Sequence, residues 1–254
     1  EAKVEIRKYQ IIVCKLSDCK SQYGIIGKPL GHSFSEQYFT DKFALEHVPA
    51  TYQALQIDAI EEVLPLLQIL DGMNVTYPYK EEIIPYLTAL DETARAIGAV
   101  NVVHHGKGYN TDWIGFRDSL LPLIQGNEQA LLLGTGGVSK AIAYALKQMG
   151  IGYTFVSRNP NTNAIGYEDL TEAIIKQHTI IVNCTPLGMH PYEHEMPNIP
   201  YQLLGEAHLL YDCIYNPEMT RFLRMGQKQG CRVKNGLEML HIQADRAWEI
   251  WSEL

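Results

Sequence analysis

Basic residues are scarce and scattered: the 254 residues carry 21 Lys and Arg against 29 Asp and Glu, a net charge of -8. Phosphate backbones are held by clustered cations, so the composition argues against a nucleic-acid partner and small molecules become the expected ligands. Cysteine is sparser still. The five, Cys14, Cys19, Cys184, Cys213 and Cys231, are odd in number and contain no CxxC pair, which argues against a disulfide framework, thiol redox chemistry or a zinc site. No metal is expected. No apolar run reaches the roughly 20 residues that cross a bilayer, and the opening stretch lacks the small-residue cleavage pattern of a secretory leader. The expectation is a cytoplasmic protein with no membrane partner, a monomer or a homodimer. With 46% hydrophobic and 20% charged residues, the chain is no disordered tail and has material for one large α/β domain or two lobes.

What is present falls into two halves. From Tyr23 onward short apolar runs alternate with helical periodicity: YGIIG, a helix from about Ser35 to His47, TYQALQI, then a helix near Ile60 to Leu70. AVNVVHHGKGYNTD alternates around His105, Gly106, Lys107 and Gly108, which predicts a strand pair closing the first lobe. A helix from about Trp113 bridges to the second lobe, broken by Pro122 and Gly126-Asn127. There, ALLLGTGGVSKAIAYALKQMG reads as a buried strand, a glycine turn and an amphipathic helix stopped by Gly150. The further apolar strands YTFV, TIIVN and LLYDCI imply a parallel sheet covered on both faces, a Rossmann-like lobe.

The last helix, about Leu237 to Ser252, aligns Leu237, Leu240, Ala244, Ala247, Trp248 and Trp251 in a stripe about 100° wide. Because the second lobe is complete by then, this helix is expected to return to the first. The fold class is therefore α/β in two lobes: an N-terminal α/β domain over 1–115, its first 20 or so residues of open role, a Rossmann-like domain over 116–236, and a returning helix over 237–254.

Gly134-Thr135-Gly136-Gly137 follows a buried strand and opens a helix, where glycines let backbone N–H groups approach a pyrophosphate. The spacing departs from GxGxxG, and a bare glycine turn is the alternative. At the end of the next strand, where a carboxylate would accept from the ribose of NAD, stand Ser157, Arg158 and Asn159. A guanidinium there binds a 2′-phosphate, so NADP is the expected cofactor.

In the first half, Ser33 and Ser35 flank a helix start and offer hydroxyls and free N–H groups to a carboxylate, although Ser33 with Glu36 also fits a capping box. Asn74 and Thr76 alternate on one strand face, and Lys80 follows as a group able to polarise a carbonyl or supply a proton. Asp112 opens the bridging helix, as an N-cap or as the partner that keeps Lys80 charged.

Seven motifs occur in order: GKPLGHSFS, NVTYPYK, IGAVN, YNTDWIG, GTGGVSKA, NCTPLGM with YDCIYNP, and NGLEMLHIQA. Together they resemble the shikimate dehydrogenase family from about Tyr23 to Trp251. The resemblance implies reversible NADPH-dependent reduction of 3-dehydroshikimate to shikimate, on the route to chorismate and the aromatic amino acids. It implies Lys80 and Asp112 as the catalytic pair, Ser33 and Ser35 as carboxylate ligands, and Thr76, Asn101, Tyr215 and Gln243 as contacts to the substrate hydroxyls, with Asn74 in support. Gly134, Gly136, Gly137 and Val138 match the family's phosphate loop, and Ser157, Arg158 and Asn159 its 2′-phosphate turn. Cys213, Gly236 and Met239 align near the nicotinamide, and Thr185 opens a neighbouring loop. Glu36, Lys28 and Val102 depart from the usual residues without removing a chemical group. The cofactor turn lacks a second basic residue, offering only Asn161, Thr162 and Asn163. Alternative readings are a quinate/shikimate dehydrogenase using NAD(P), a methylene-tetrahydrofolate dehydrogenase, or a non-catalytic dinucleotide-sensing module.

Overall fold

The computed structural model describes residues 5–6, 9–10, 21–30 and 34–252. The chain divides into two compact units, Glu1–Thr111 with Arg246–Leu254, and Asp112–Asp245. The boundary thus falls at the start of the bridging helix rather than at 115/116. The last helix is also not wholly returned to the first unit: its residues up to Asp245 belong with the second. The cause is Gly115, where an added Cβ would lie 2.5 Å from the Met239 carbonyl oxygen, so the two helix backbones touch.

The first unit begins with a short antiparallel pair, β1 (Glu5–Ile6) and β2 (Tyr9–Gln10). Then come β3 (Ser21–Gly27), α1 (Phe34–Leu45), β4 (Ala50–Gln56), α2 (Val63–Ile69), β5 (Gly72–Val75), β6 (Ala89–Leu90), α3 (Glu92–Ile97), β7 (Val102–His104) and β8 (Lys107–Tyr109). The sheet order is β4-β3-β5-β7-β8-β6. The β4, β3 and β5 strands run parallel, and β7 is antiparallel to both β5 and β8. His105 and Gly106 turn the β7–β8 hairpin with φ of 46° and 75°, the left-handed pair that matches strand twist.

Alternation along these strands fills two faces. Ile26, Leu55, Met73, Val75 and Val103 join α2 in one apolar cluster. The opposite face carries Tyr23 and Tyr52, packed against Phe39 and Phe43 of α1. Trp248 and Trp251, from the end of the last helix, complete this aromatic layer. Gly72 is required beneath it, because a Cβ there would sit 2.4 Å from the Trp251 indole nitrogen.

The second unit runs α4 (Asp112–Leu120), β9 (Gln129–Leu133), α5 (Gly137–Gln148), β10 (Gly152–Val156), β11 (Ala164–Ile165), α6 (Glu172–Gln177), β12 (Ile180–Asn183), β13 (Leu209–Asp212), α7 (Arg221–Lys228), β14 (Arg232–Lys234) and α8 (Leu237–Ser252, ending in the first unit). Its sheet is parallel throughout, ordered β11-β10-β9-β12-β13-β14. Both faces are buried, which is why its strands are continuously apolar: Leu132, Val182 and Tyr211 fill one core, and Leu131, Ile181 and Leu210 the other. On α8 the buried stripe is Met239, Gln243, Ala244, Ala247 and Trp251. Leu237, expected in it, is 40% exposed, because as the first helical residue it precedes the turn that meets the core. No helix among the described residues is long and apolar enough to cross a membrane.

Candidate active site

In the first unit the polar residues singled out by the sequence are buried in an apolar setting. Ser35, Asn74 and Asn101 are 7%, 5% and 3% exposed. A buried polar group without a partner costs a few kcal/mol, so their hydrogen bonds define the site. The Asn74 Nδ2 donates to the Asn101 carbonyl oxygen at 3.3 Å. The Asn101 amide clasps Thr111, donating to its Oγ1 at 2.9 Å and accepting from its backbone N–H at 2.7 Å. Tyr52 Oη donates to Asn74 Oδ1 at 2.6 Å. Two backbone bonds, Val75 N–H to Asn101 O at 2.9 Å and Val100 N–H to Lys80 O at 2.8 Å, hold the IGAVN segment beside NVTYPYK. They bring Asn74, Lys80 and Asn101 into one neighbourhood. Thr76 is half-buried at the end of that strand, its methyl filling the space that a Cβ on Gly27 would need.

Ser33 lies outside the described residues. Of the capping box expected there, Glu36 is seen to be engaged elsewhere: its Oε1 accepts from the Ala54 N–H on β4 at 3.3 Å. Ser35 stands buried in the first turn of α1. Tyr52 and Thr111 were not singled out by sequence, because neither a tyrosine in a strand nor a threonine before a helix differs in pattern from core or cap.

In the second unit the sheet order reverses beside β9, which continues to β10 on one side and pairs with β12 on the other. Ligands of parallel α/β sheets bind outside the carboxyl ends of the strands at such a point. The glycine loop is there. Gly134 has φ of 109°, a left-handed value that suits glycine, and a Cβ on it would approach Thr185 Cγ2 at 3.3 Å. The loop therefore abuts the turn after β12 that carries Thr185. Gly136 is the N-cap of α5 and offers no side-chain cap, so the first N–H groups of the helix, from Gly137 and Val138 onward, are left for a ligand. A Cβ on Gly136 would meet nothing within 4 Å, leaving open space directly before those donors. Ser157, Arg158 and Asn159 form the turn after β10, with the Asn159 N–H donating to Ser157 Oγ at 3.1 Å and Arg158 exposed. These residues fit a dinucleotide carrying a 2′-phosphate.

Asp112, Cys213, Tyr215, Gly236, Met239 and Gln243 gather at the carboxyl end of β13 and its surroundings. Gly236 is pressed against Cys213, where a Cβ would lie 2.2 Å from the carbonyl oxygen. Met239 and Gln243 pack on Gly115 of α4, one turn from buried Asp112. A hydrogen bond with Cys184 and burial push the Cys213 thiol well up, with the Asp112 charge adding to the effect. Beneath the loops lies an unforeseen buried network. Asp212 accepts from Thr220 Oγ1 at 2.6 Å, Ile214 N–H at 3.0 Å and Asn183 Nδ2 at 3.1 Å, and Asn183 Oδ1 accepts from the Thr185 N–H and hydroxyl at 3.0 and 2.7 Å. Burial raises the Asp212 carboxyl to about 7 even against those donors. Both residues are letters of the NCTPLGM and YDCIYNP motifs, which was the available signal.

The sequence profile of the shikimate dehydrogenase substrate binding domain matches residues 25–103. The chain is 35% identical to a shikimate dehydrogenase (NADP(+)) of Carboxydothermus hydrogenoformans, with 90% of each chain covered. It is 33% identical to one of Methanosphaera stadtmanae, again over 90% of each. Among solved structures, shikimate dehydrogenase from Aquifex aeolicus superposes with a TM-score of 0.81 at 32% identity, covering 95% of both chains. The Thermus thermophilus enzyme in complex with NADP(H) and shikimate gives 0.81 at 28% identity, covering 92% of this chain and 94% of that one.

Proposed function

The chain belongs to the shikimate dehydrogenase family, and from that premise we propose how its own residues carry out the reversible, NADPH-dependent reduction of 3-dehydroshikimate to shikimate. It is an NADP-dependent oxidoreductase acting on a secondary alcohol. The observation that carries the residue assignment is the row of buried, mutually bonded amides and hydroxyls on a sheet face that is otherwise aromatic. Buried polar groups of this kind reject a ligand that lacks the matching hydroxyls, which is how a polyhydroxylated ring is selected.

When bound, NADPH supplies the hydrogen and electron pair that convert the ketone carbon to a carbinol. Binding it falls to the Gly134–Gly136–Gly137–Val138 loop for the pyrophosphate, and to Arg158 with Ser157 and Asn159 for the 2′-phosphate. Thr185, Cys213, Gly236 and Met239 line the nicotinamide end. Ser33 and Ser35 take the substrate carboxylate. Thr76, Asn101, Tyr215 and Gln243 meet its hydroxyls, and Asn74 supports them. Lys80 stabilises the developing alkoxide and Asp112 shares in proton transfer, the work that general acids and bases do at reducing carbonyls. A cytoplasmic location and a monomeric or homodimeric state belong to the same reading, which the free thiols of Cys184, Cys213 and Cys231 support.

The test follows NADPH and NADH absorbance with dehydroshikimate and dehydroquinate as parallel substrates. The NADPH–dehydroshikimate pair is expected to turn over fastest. Faster turnover of dehydroquinate would move the assignment to a quinate dehydrogenase, and binding of NADPH without oxidation would make the chain a sensing module.

A further inference from the structure

We propose that Tyr52 is a positioning residue for the reduction: its hydroxyl fixes which way the Asn74 amide points. The inference rests on the reading that Asn74 faces the substrate. Tyr52 is aligned with Tyr23 of the central β3, and Asn74 with Ile25 of the same strand, so both point to the α1 face of the sheet. Two strand spacings of about 4.8 Å and an offset of two residues, about 6.6 Å, place their Cα atoms roughly 12 Å apart. Only a side chain as long as tyrosine, with a polar tip, spans that gap above β3.

The bond it makes there has a direction. Tyr52 Oη donates to Asn74 Oδ1 at 2.6 Å, which turns Nδ2 toward the Asn101 carbonyl and commits the amide to one of its two orientations. Burial holds the Tyr52 hydroxyl protonated well above the ordinary tyrosine range, so its donor role does not change across the working pH. Without the phenolic oxygen Oδ1 loses its donor, and the Asn74 amide is held only by the longer 3.3 Å bond from Nδ2 to the Asn101 carbonyl. Tyr52 itself exchanges no proton with the substrate. It acts through Asn74.

Tyr52→Phe removes one oxygen and retains the ring, whose stack on Phe39 at 4.7 Å maintains the fold. On the full-length protein, steady-state kinetics of Tyr52→Phe, Asn74→Ala and the double variant separate the possibilities. The expected result is a KM for shikimate raised about tenfold by Tyr52→Phe, with kcat and the KM for NADP within about twofold of the parent. The double variant should be no worse than Asn74→Ala alone, because the two residues act through one bond. A purely structural role would move kcat and both KM values together and would overturn the proposal, as would multiplying effects in the double variant. If Asn74→Ala raises the KM while Tyr52→Phe does not, the inference fails and the substrate assignment stands. If Asn74→Ala has no effect, the assignment of Asn74 fails, and this inference with it.

Discussion

The two units solve recognition by opposite means. In the first, the residues assigned to substrate are side chains, buried and bonded to one another across β3, β5 and the segment before α4. In the second, the residues proposed for the cofactor offer backbone: a glycine loop without a side-chain cap, opening onto space that no Cβ occupies. Side-chain rows give discrimination, because each lost partner leaves a buried group unsatisfied. Backbone N–H groups give affinity for any pyrophosphate, and only the turn after β10 adds selectivity. Substitutions should therefore divide cleanly, those in the first unit altering response to substrate and those in the second altering response to nucleotide.

The largest effect that would break or confirm this division is expected of Lys80→Ala. Loss of a general acid and of alkoxide stabilisation should lower kcat about 10³-fold, while NADPH affinity, read by fluorescence titration, stays within twofold. Loss of NADPH binding in that variant would erase the distinction. Next is Gly136→Val, which places carbon in open space and should leave the thermal midpoint nearly unchanged but weaken NADPH about 100-fold. An unaltered Kd would mean that the loop does not hold the pyrophosphate. Arg158→Ala should weaken NADPH about tenfold and leave NADH unaffected, narrowing the preference between them. Because Arg158 is the basic residue of a turn that otherwise offers asparagine and threonine, a null result would place the 2′-phosphate elsewhere.

The smallest effect on turnover, with a clear one on stability, is expected of Asp212→Asn. The folded carboxyl is raised from 3.8 to about 7 by burial, so the folded state holds its proton longer than the unfolded chain. The parent is then at full stability below the unfolded value and loses stability as pH rises from 3.8 to about 7, with no further loss from this group above that. The isosteric amide lacks the titration. The difference in thermal midpoint between the two proteins should grow in favour of the variant across that window, and parallel curves would show that Asp212 is ionised in the fold throughout.

This contrast also explains what could be read from sequence. The second unit was legible because its strands are buried on both faces and write themselves as ALLL, TIIV and LLY, and because the glycines follow one of them directly. The first unit mixes parallel and antiparallel pairs in short strands, and its alternation is blurred where Asn74 takes an inward position that pattern reserves for apolar residues. Ser35 was read from a helix start, and Asn74 and Thr76 from strand alternation, but resemblance to a family gave them their roles, and Asn101 came from that resemblance alone. Tyr52 and Thr111 came only from coordinates, since their partners lie across the sheet or across a loop. The division of α8 was equally hidden: the stripe predicted burial correctly for Ala244, Ala247 and Trp251, but periodicity says nothing of which neighbour does the burying.

That Trp251 lies on the bare backbone of Gly72 has a consequence for biosynthesis. The residues that seal the aromatic layer of the first unit are translated only after all 134 positions of Asp112–Asp245. The first unit thus waits on a segment made after the second, while the contiguous second unit needs nothing beyond Asp245 for its own core. A chain truncated just before Arg246 should therefore leave residues 112–245 protected from protease and residues 21–111 open to it.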